Sequence, residues 1–200
     1  MRLFFRAFFI PVVLVLFSFI AAPASAEEVR RSVLKNGLII LVEESRRNPL
    51  VAIEAQIKAG SATEEGLLGS GVSHFVEHML FKGTSARPRP GDIQQEIKSL
   101  GGYINAYTTH DSTGVTIILP SAHLKPGLRI LRDILTGSLF EVSETAKERE
   151  VILKEIRLNN DDPSRYTSTL LWSSMFRASN YRFPVIGHEA IFKKLARQDL

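Results

Sequence analysis

Two hundred residues, 44% of them hydrophobic, suffice for one domain with its own core. The formal charge of +4 falls to +2 when residues 1–26, which hold Arg2 and Arg6 and no acid, are set aside, leaving 23 basic residues against 21 acidic. No basic tract interleaved with aromatics occurs, which argues against nucleic acid as a partner, and the absence of cysteine removes thiolate from the possible ligands and suits an oxidising compartment.

The chain opens with Arg2 and Arg6, continues with an uncharged apolar stretch from Ala7 to Ala22, and reaches Pro23-Ala24-Ser25-Ala26 immediately before Glu27 and Glu28. A basic start, a short apolar segment and an A-x-A end predict a secretory signal peptide over 1–26, cleaved after Ala26. The product is then exported to the periplasm or secreted, and membrane contact is confined to this segment if it stays uncleaved. The apolar run is shorter than the roughly 20 residues that a spanning helix needs, and it contains Pro11.

Val29–Leu34 and Leu38–Glu43 read as strands around an Asn36-Gly37 turn. Val51 to Ala59 alternates apolar and polar residues, the period of a half-buried strand. A loop from Gly60 to Gly71 precedes a helix predicted from about Ser70 to Phe81 and ended by Gly83. Pro88 and Pro90 mark a connection, and residues 91–100 form an amphipathic helix stopped by Gly101-Gly102. Tyr103–Thr109 and Gly114–Leu119 read as a hairpin turned at Asp111-Ser112. Ser121 is placed to cap a helix carrying Leu124, Leu128, Leu131, Ile134 and Leu135. Further helices are expected over 144–159, stopping before Asp162-Pro163, and over 167–178, with a helical pattern again from Ile191 to Leu200. Antiparallel hairpins with helices between them predict an α+β fold, a two-layer antiparallel sheet with helices packed on it, with 27–200 as one catalytic domain, incomplete at its C-terminal end.

Chemistry concentrates in His74-Phe75-Val76-Glu77-His78. On a helix, His74, Glu77 and His78 share one strip, while Phe75, Val76, Met79 and Leu80 cover the other side. Such a strip is either a solvated surface or, if buried, needs compensation; a zinc ion supplies it, neutral imidazoles donating to the metal and a nearby carboxylate taking a proton from its water. Glu148 and Glu155 lie seven residues apart on the 144–159 helix, nearly superimposed in projection, with Val151 and Ile152 between them on the same face. Glu155 then supplies a third protein ligand and leaves the fourth position to water. Glu148 reads either as a rim ion pair or as the acceptor of a hydrogen bond from a ligating imidazole.

His74-x-x-Glu77-His78, followed by 69 residues to Glu148 and six more to Glu155, resembles the pitrilysin/insulinase-type zinc metallopeptidases, the inverzincins, a group that includes mitochondrial processing peptidase and bacterial relatives. Leu34-Lys35-Asn36-Gly37-Leu38, Ala59-Gly60-Ser61, Gly71-Val72-Ser73, Phe81-Lys82-Gly83-Thr84, Gly102-Tyr103-Ile104-Asn105-Ala106 and Glu148-Arg149 carry the resemblance over residues 29–200. It implies a zinc-dependent endopeptidase acting on unfolded or extended peptides. His74, His78 and Glu155 are then the ligands of one Zn2+, and Glu77 is the general base. Asn105 and Ala106 fall where an extended substrate is held against an edge strand, in keeping with β-augmentation. His110, His123 and His188 match no ligand position and are expected to be surface or helix-end histidines.

Relatives carry two or four such domains around a chamber, so the resemblance also implies a second homologous domain or subunit that closes it. The chain stops after Leu200, which makes it either a piece of a longer product or one half of a two-chain assembly. Two rival readings stand beside this one. S-ribosylhomocysteine lyase shares the His-x-x-Glu-His pattern but needs a cysteine ligand, which is absent. A non-catalytic or partner-dependent subunit of a two-chain peptidase fits the short length, although such subunits lack ligand residues that are all present here.

Overall fold

The computed structural model describes residues 28–200; the signal peptide read at 1–26, and the cleavage and destination inferred from it, fall outside them. Among the described residues, no helix is long and apolar enough to cross a membrane. The chain divides after Asn48 into two units. The described part of the first is the expected hairpin, β1 (Arg30–Val33) paired antiparallel with β2 (Ile39–Val42). Its turn is closed by the Asn36 side chain, which accepts the Leu38 amide at 3.2 Å, beside Gly37 at φ 87°.

The second unit holds β3 (Leu50–Ile57), α1 (Val72–Met79), α2 (Asp92–Ser99), β4 (Tyr103–Thr108), β5 (Thr113–Pro120), α3 (Leu124–Gly137), α4 (Val142–Asp161), α5 (Pro163–Met175) and the short α6 (Glu189–Phe192). The three strands form an antiparallel sheet in the order β3-β5-β4, with the predicted β4–β5 hairpin at one side. Alternation decides which face is covered: Val51, Ile53 and Ala55 of β3, Ile104 and Ala106 of β4, and Val115, Ile117 and Leu119 of β5 all point to one side. Ile93 and Ile97 of α2 and Ile130, Leu131 and Ile134 of α3 pack on that side, giving the expected two-layer α+β core. A second core joins Phe75 and Met79 of α1 to Ile152, Leu153 and Ile156 of α4 and to Phe192 and Leu195.

Three elements differ from the sequence reading. Asp162-Pro163 ends α4, but it also begins α5, four residues earlier than expected. Proline lacks the N–H that a first helical position leaves unused, and the Asp162 carboxylate accepts the amides of Ser164 and Arg165 at 2.8 and 3.0 Å. Ser121 makes no cap bond; a 3-10 turn over Ser121–His123 leads into α3 instead. The helical pattern at Ile191–Leu200 yields only α6 and a 3-10 turn at Arg197–Asp199. The Arg149 guanidinium lies over the rings of Phe75 and Phe192 and takes the Phe192 and Leu195 carbonyls at 3.3 and 2.6 Å, acceptors that a continuing helix would need.

Candidate metal centre

Helix α1 is held from three sides. Phe75 and Met79 enter the core shared with α4, while Leu80, just past its end, and Val76 pack into the core under the sheet. Its start is fixed by Glu64, a buried carboxylate that accepts the Gly71 and Ser73 amides at 3.3 and 2.9 Å. Burial raises the Glu64 pKa, and these amide bonds oppose the rise. Gly71 caps the helix at φ 72°, and a Cβ there would stand 2.3 Å from the Ile186 carbonyl oxygen. Gly187, at φ 83°, faces it across the same contact: its own Cβ would stand 2.4 Å from the Ser70 carbonyl oxygen.

The strip left between the two cores carries His74, Glu77 and His78. Each of His74, His78 and Glu155 offers one ligand atom, and the three atoms lie within 4.8 Å of one another. His74 Nε2 and His78 Nε2 are 3.3 Å apart, and Glu155 Oε2 is 3.7 Å from His78 Nε2. Glu148 is 6% exposed and sits behind His78, its Oε1 at 2.8 Å from Nδ1 and its Oε2 at 2.6 Å from Lys82 Nζ. Burial by itself would raise the Glu148 pKa; the hydrogen bonds and charges of His78 and Lys82 outweigh it and hold the carboxyl below its ordinary value. A carboxylate facing Nδ1 requires a proton there, so in the neutral imidazole of His78 the Nε2 lone pair points toward His74 and Glu155. The Glu148 ion pair therefore lies inside the protein, against the imidazole, rather than at a rim. Ile152 separates Glu148 from Glu155 on the buried side of α4, but Val151 is 47% exposed and does not share that face.

Burial first, and the charge of His78 second, lower the His74 pKa to about 4, so its imidazole is neutral at physiological pH. Two imidazole lone pairs and a carboxylate meeting at these distances repel one another unless a metal ion, or a proton on a ring nitrogen, lies between them. A tetrahedral zinc site with Zn–N near 2.0–2.1 Å separates its donors by about 3.3 Å, the spacing of the two imidazole nitrogens. The donor set fits zinc and not the all-oxygen coordination of calcium or magnesium.

Glu77 stands apart from the three converging donors. Its Oε2 accepts a hydrogen bond at 2.6 Å from the Thr108 hydroxyl at the end of β4. Thr108 in turn lies 3.5 Å from the Thr113 hydroxyl, which donates to the Ala59 carbonyl at 2.8 Å. His74, Glu77, Glu155 and Thr108 open into one cavity of about 400 Å³, whose lining also includes Trp172 and Arg182.

β4 leads into this site and is an edge of the sheet among the described residues, its other side paired to β5. Asn105 faces away from the covered side, opposite Thr116, whereas the Ala106 side chain is buried in the core, so only its main chain is available to a bound strand. Of the histidines set aside, His123 and His188 do lie at helix starts, preceding α3 and α6. His110 does not: it lines the cavity and stacks on Trp172, with centroids 4.6 Å apart at 17°.

Sequence reasoning missed Thr108, Lys82 and Glu64. Thr108 is the polar member of the otherwise apolar Ile104, Ala106 register, a parity signal that was available. Lys82 lies in the Phe81-Lys82-Gly83-Thr84 segment, whose pattern assigns it no role. Glu64 carried no signal, because its capping bonds reach across a loop.

The family model for Insulinase (Peptidase family M16) matches residues 39–189. A zinc protease of Rickettsia felis is 37% identical over 161 residues, an alignment that covers 80% of this chain and 39% of that protein. Among solved structures, a protease from Helicobacter pylori superposes with a TM-score of 0.80 at 23% identity, over 86% of this chain and 42% of its own. The periplasmic protease PqqL from Escherichia coli gives 0.76 at 28% identity, over 86% of this chain and 20% of its own. The chain thus spans about two-fifths of the length of the curated relatives it matches.

Proposed function

The chain belongs to the insulinase family, peptidase family M16, and from that premise we propose that it forms the zinc-binding, base-bearing part of an endopeptidase for extended peptides. The observation that carries the proposal is the convergence of His74, His78 and Glu155 within 4.8 Å while Glu77 stands outside the cluster and opens into the same cavity. His74, His78 and Glu155 hold the metal. A bound zinc supplies a Lewis acid that polarises the scissile carbonyl and acidifies water. Glu77 accepts the water's proton and passes it to the leaving amine, and the Thr108 hydroxyl fixes the carboxylate's orientation for both transfers. Glu148 keeps the His78 proton on Nδ1, and Lys82 keeps Glu148 ionised. The free edge of β4 at Asn105 and Ala106 pairs with the substrate main chain, so a segment must be unfolded to enter.

A second reading rests on coverage: the chain spans two-fifths of its relatives' length, which favours a site that needs a homologous domain or subunit to complete the chamber. Export to the bacterial envelope belongs to the same proposal, supported by the leader-like start of the sequence and by the likeness to the periplasmic PqqL. The test is zinc content, then turnover of a quenched unstructured peptide with and without a homologous second half in trans. Zinc near one equivalent is expected, absent in His74→Ala and Glu155→Ala, with slow cleavage by the chain alone, faster cleavage on complementation and none in Glu77→Gln. Unchanged zinc content in the ligand variants would overturn the site. Full activity without the second half would remove the need for a partner.

A further inference from the structure

The cavity at His74 and Glu77 does not end there. A second cavity of about 260 Å³ shares Asn159, Ser168, Thr169, Pro184 and Ile186 with it, so the two form one groove between α4, α5 and the segment before α6. Each part contains one arginine: Arg182 beside the reaction site, Arg165 farther along. Arg182 donates to the Arg177 carbonyl and lies over the Phe183 ring, and Arg165 donates to the Asn159 side chain. Among the described residues neither makes an ion pair.

The acids nearby do not offer the groove a free carboxylate. Asp162, which senses Arg165, accepts the Ser164 and Arg165 amides on one oxygen as the cap of α5 and lines neither cavity. Glu189, in the farther cavity, is bonded to Arg157 at 2.9 Å and Lys193 at 2.8 Å, and these partners pull its pKa down to about 2. The shared wall offers an amide and two hydroxyls, neutral hydrogen-bonding groups. Away from Glu77 and Glu155, a side chain lying in this groove meets two guanidinium groups and no uncommitted carboxylate.

We propose that this groove selects peptides bearing a carboxylate near the scissile bond, received by Arg182 in the nearer subsite and by Arg165 in the farther one. The inference rests on the peptidase reading above. The carboxylate can come from an Asp or Glu side chain or from the peptide's own C-terminus. Guanidinium is suited to it, being always charged and presenting donors in a fork that matches both oxygens. Both arginines are solvent-exposed, so the gain is that of a partly screened ion pair, about fivefold in affinity.

The experiment is direct binding by Glu77→Gln protein with zinc added, which stops turnover, using fluorescence anisotropy. One series of labelled, C-terminally amidated peptides carries a single Glu, Gln or Lys walked along a fixed unstructured sequence. A second series has no acidic side chain but a free C-terminal carboxylate. A Glu peptide binding about fivefold more tightly than its Gln twin in two registers, one for each arginine, is expected. That gain should vanish near 0.5 M salt, and Arg182→Gln or Arg165→Gln should abolish it each in a different register. A gain seen only in the second series would support the carboxylate site and identify its source as the peptide end. Equal binding of Glu and Gln peptides in every register, with no gain from the free terminus, overturns the proposal while leaving the peptidase reading intact. Failure of every peptide to bind, with the homologous second half added in trans as well as without it, overturns both.

Discussion

Glu148→Gln separates the metal from the fold. The wild-type carboxylate receives two donors at once, His78 Nδ1 at 2.8 Å and Lys82 Nζ at 2.6 Å. An amide offers one oxygen and one NH2, so it satisfies only one of them. If the oxygen stays with the Lys82 ammonium, the NH2 faces Nδ1, drives the imidazole proton to Nε2 and blocks the lone pair needed for zinc. If the amide turns over, an NH2 abuts an ammonium. Either way one charge-assisted hydrogen bond is lost, about 1.5–3 kcal/mol, which is about a 10- to 100-fold weaker zinc Kd. Competition with a chromophoric chelator measures it. Lys82→Met is the control, because it leaves the Nδ1 contact in place and should cost less than Glu148→Gln. A Glu148→Gln Kd within about twofold of wild type would refute the tautomer argument.

Thr108→Val should leave zinc stoichiometry unchanged and lower peptide turnover about tenfold, since it removes the only donor seen on Glu77 among the described residues; unchanged turnover in steady-state assays would show that Glu77 needs no orienting partner. Gly71→Ala should cost about 2 kcal/mol or more of stability, from a Cβ at φ 72° placed 2.3 Å from the Ile186 carbonyl oxygen; a urea midpoint equal to wild type would contradict the close approach. The metal-free chain should lose stability on acidification. The His74 pKa is depressed in the fold, from 6.5 to about 4, so the unfolded chain binds the extra proton, and stability present above pH 6.5 drains away as pH falls toward 4, by up to about 3 kcal/mol. Urea unfolding at both ends of that window tests it, and coincident midpoints would place His74 in solvent.

The fold was legible wherever one period ruled a segment. The alternation of Val51, Ile53 and Ala55 and the spacing of Ile130, Leu131 and Ile134 each name a single buried face, and the structure uses both. The metal strip was legible for the opposite reason, as a break in the apolar pattern of α1. What escaped depends on contacts distant in sequence. Arg149 ends the last helix by taking carbonyls more than 40 residues away, and Glu64 starts α1 from across a loop. Val151 misled because two neighbours on a helix differ by about 100°, enough to put one in the core and the other in solvent. His110 misled because the β4–β5 turn, a surface position in sequence terms, folds against Trp172 of α5.

The contact between Gly71 and Gly187 ties two parts that a loop would ordinarily leave independent. His188 donates its amide to the Gly69 carbonyl at 2.8 Å beside it, so main chain is fastened to main chain with no side chain to act as a cushion. Surface connections usually absorb insertions and swing on their own. Here Pro184 and Ile186 line the groove while Gly187 abuts the first turn of the helix bearing His74 and His78. The groove wall and the imidazoles consequently share a fulcrum: an insertion or a large residue at 186–188 does not simply reshape the entrance but levers the metal-facing helix with it.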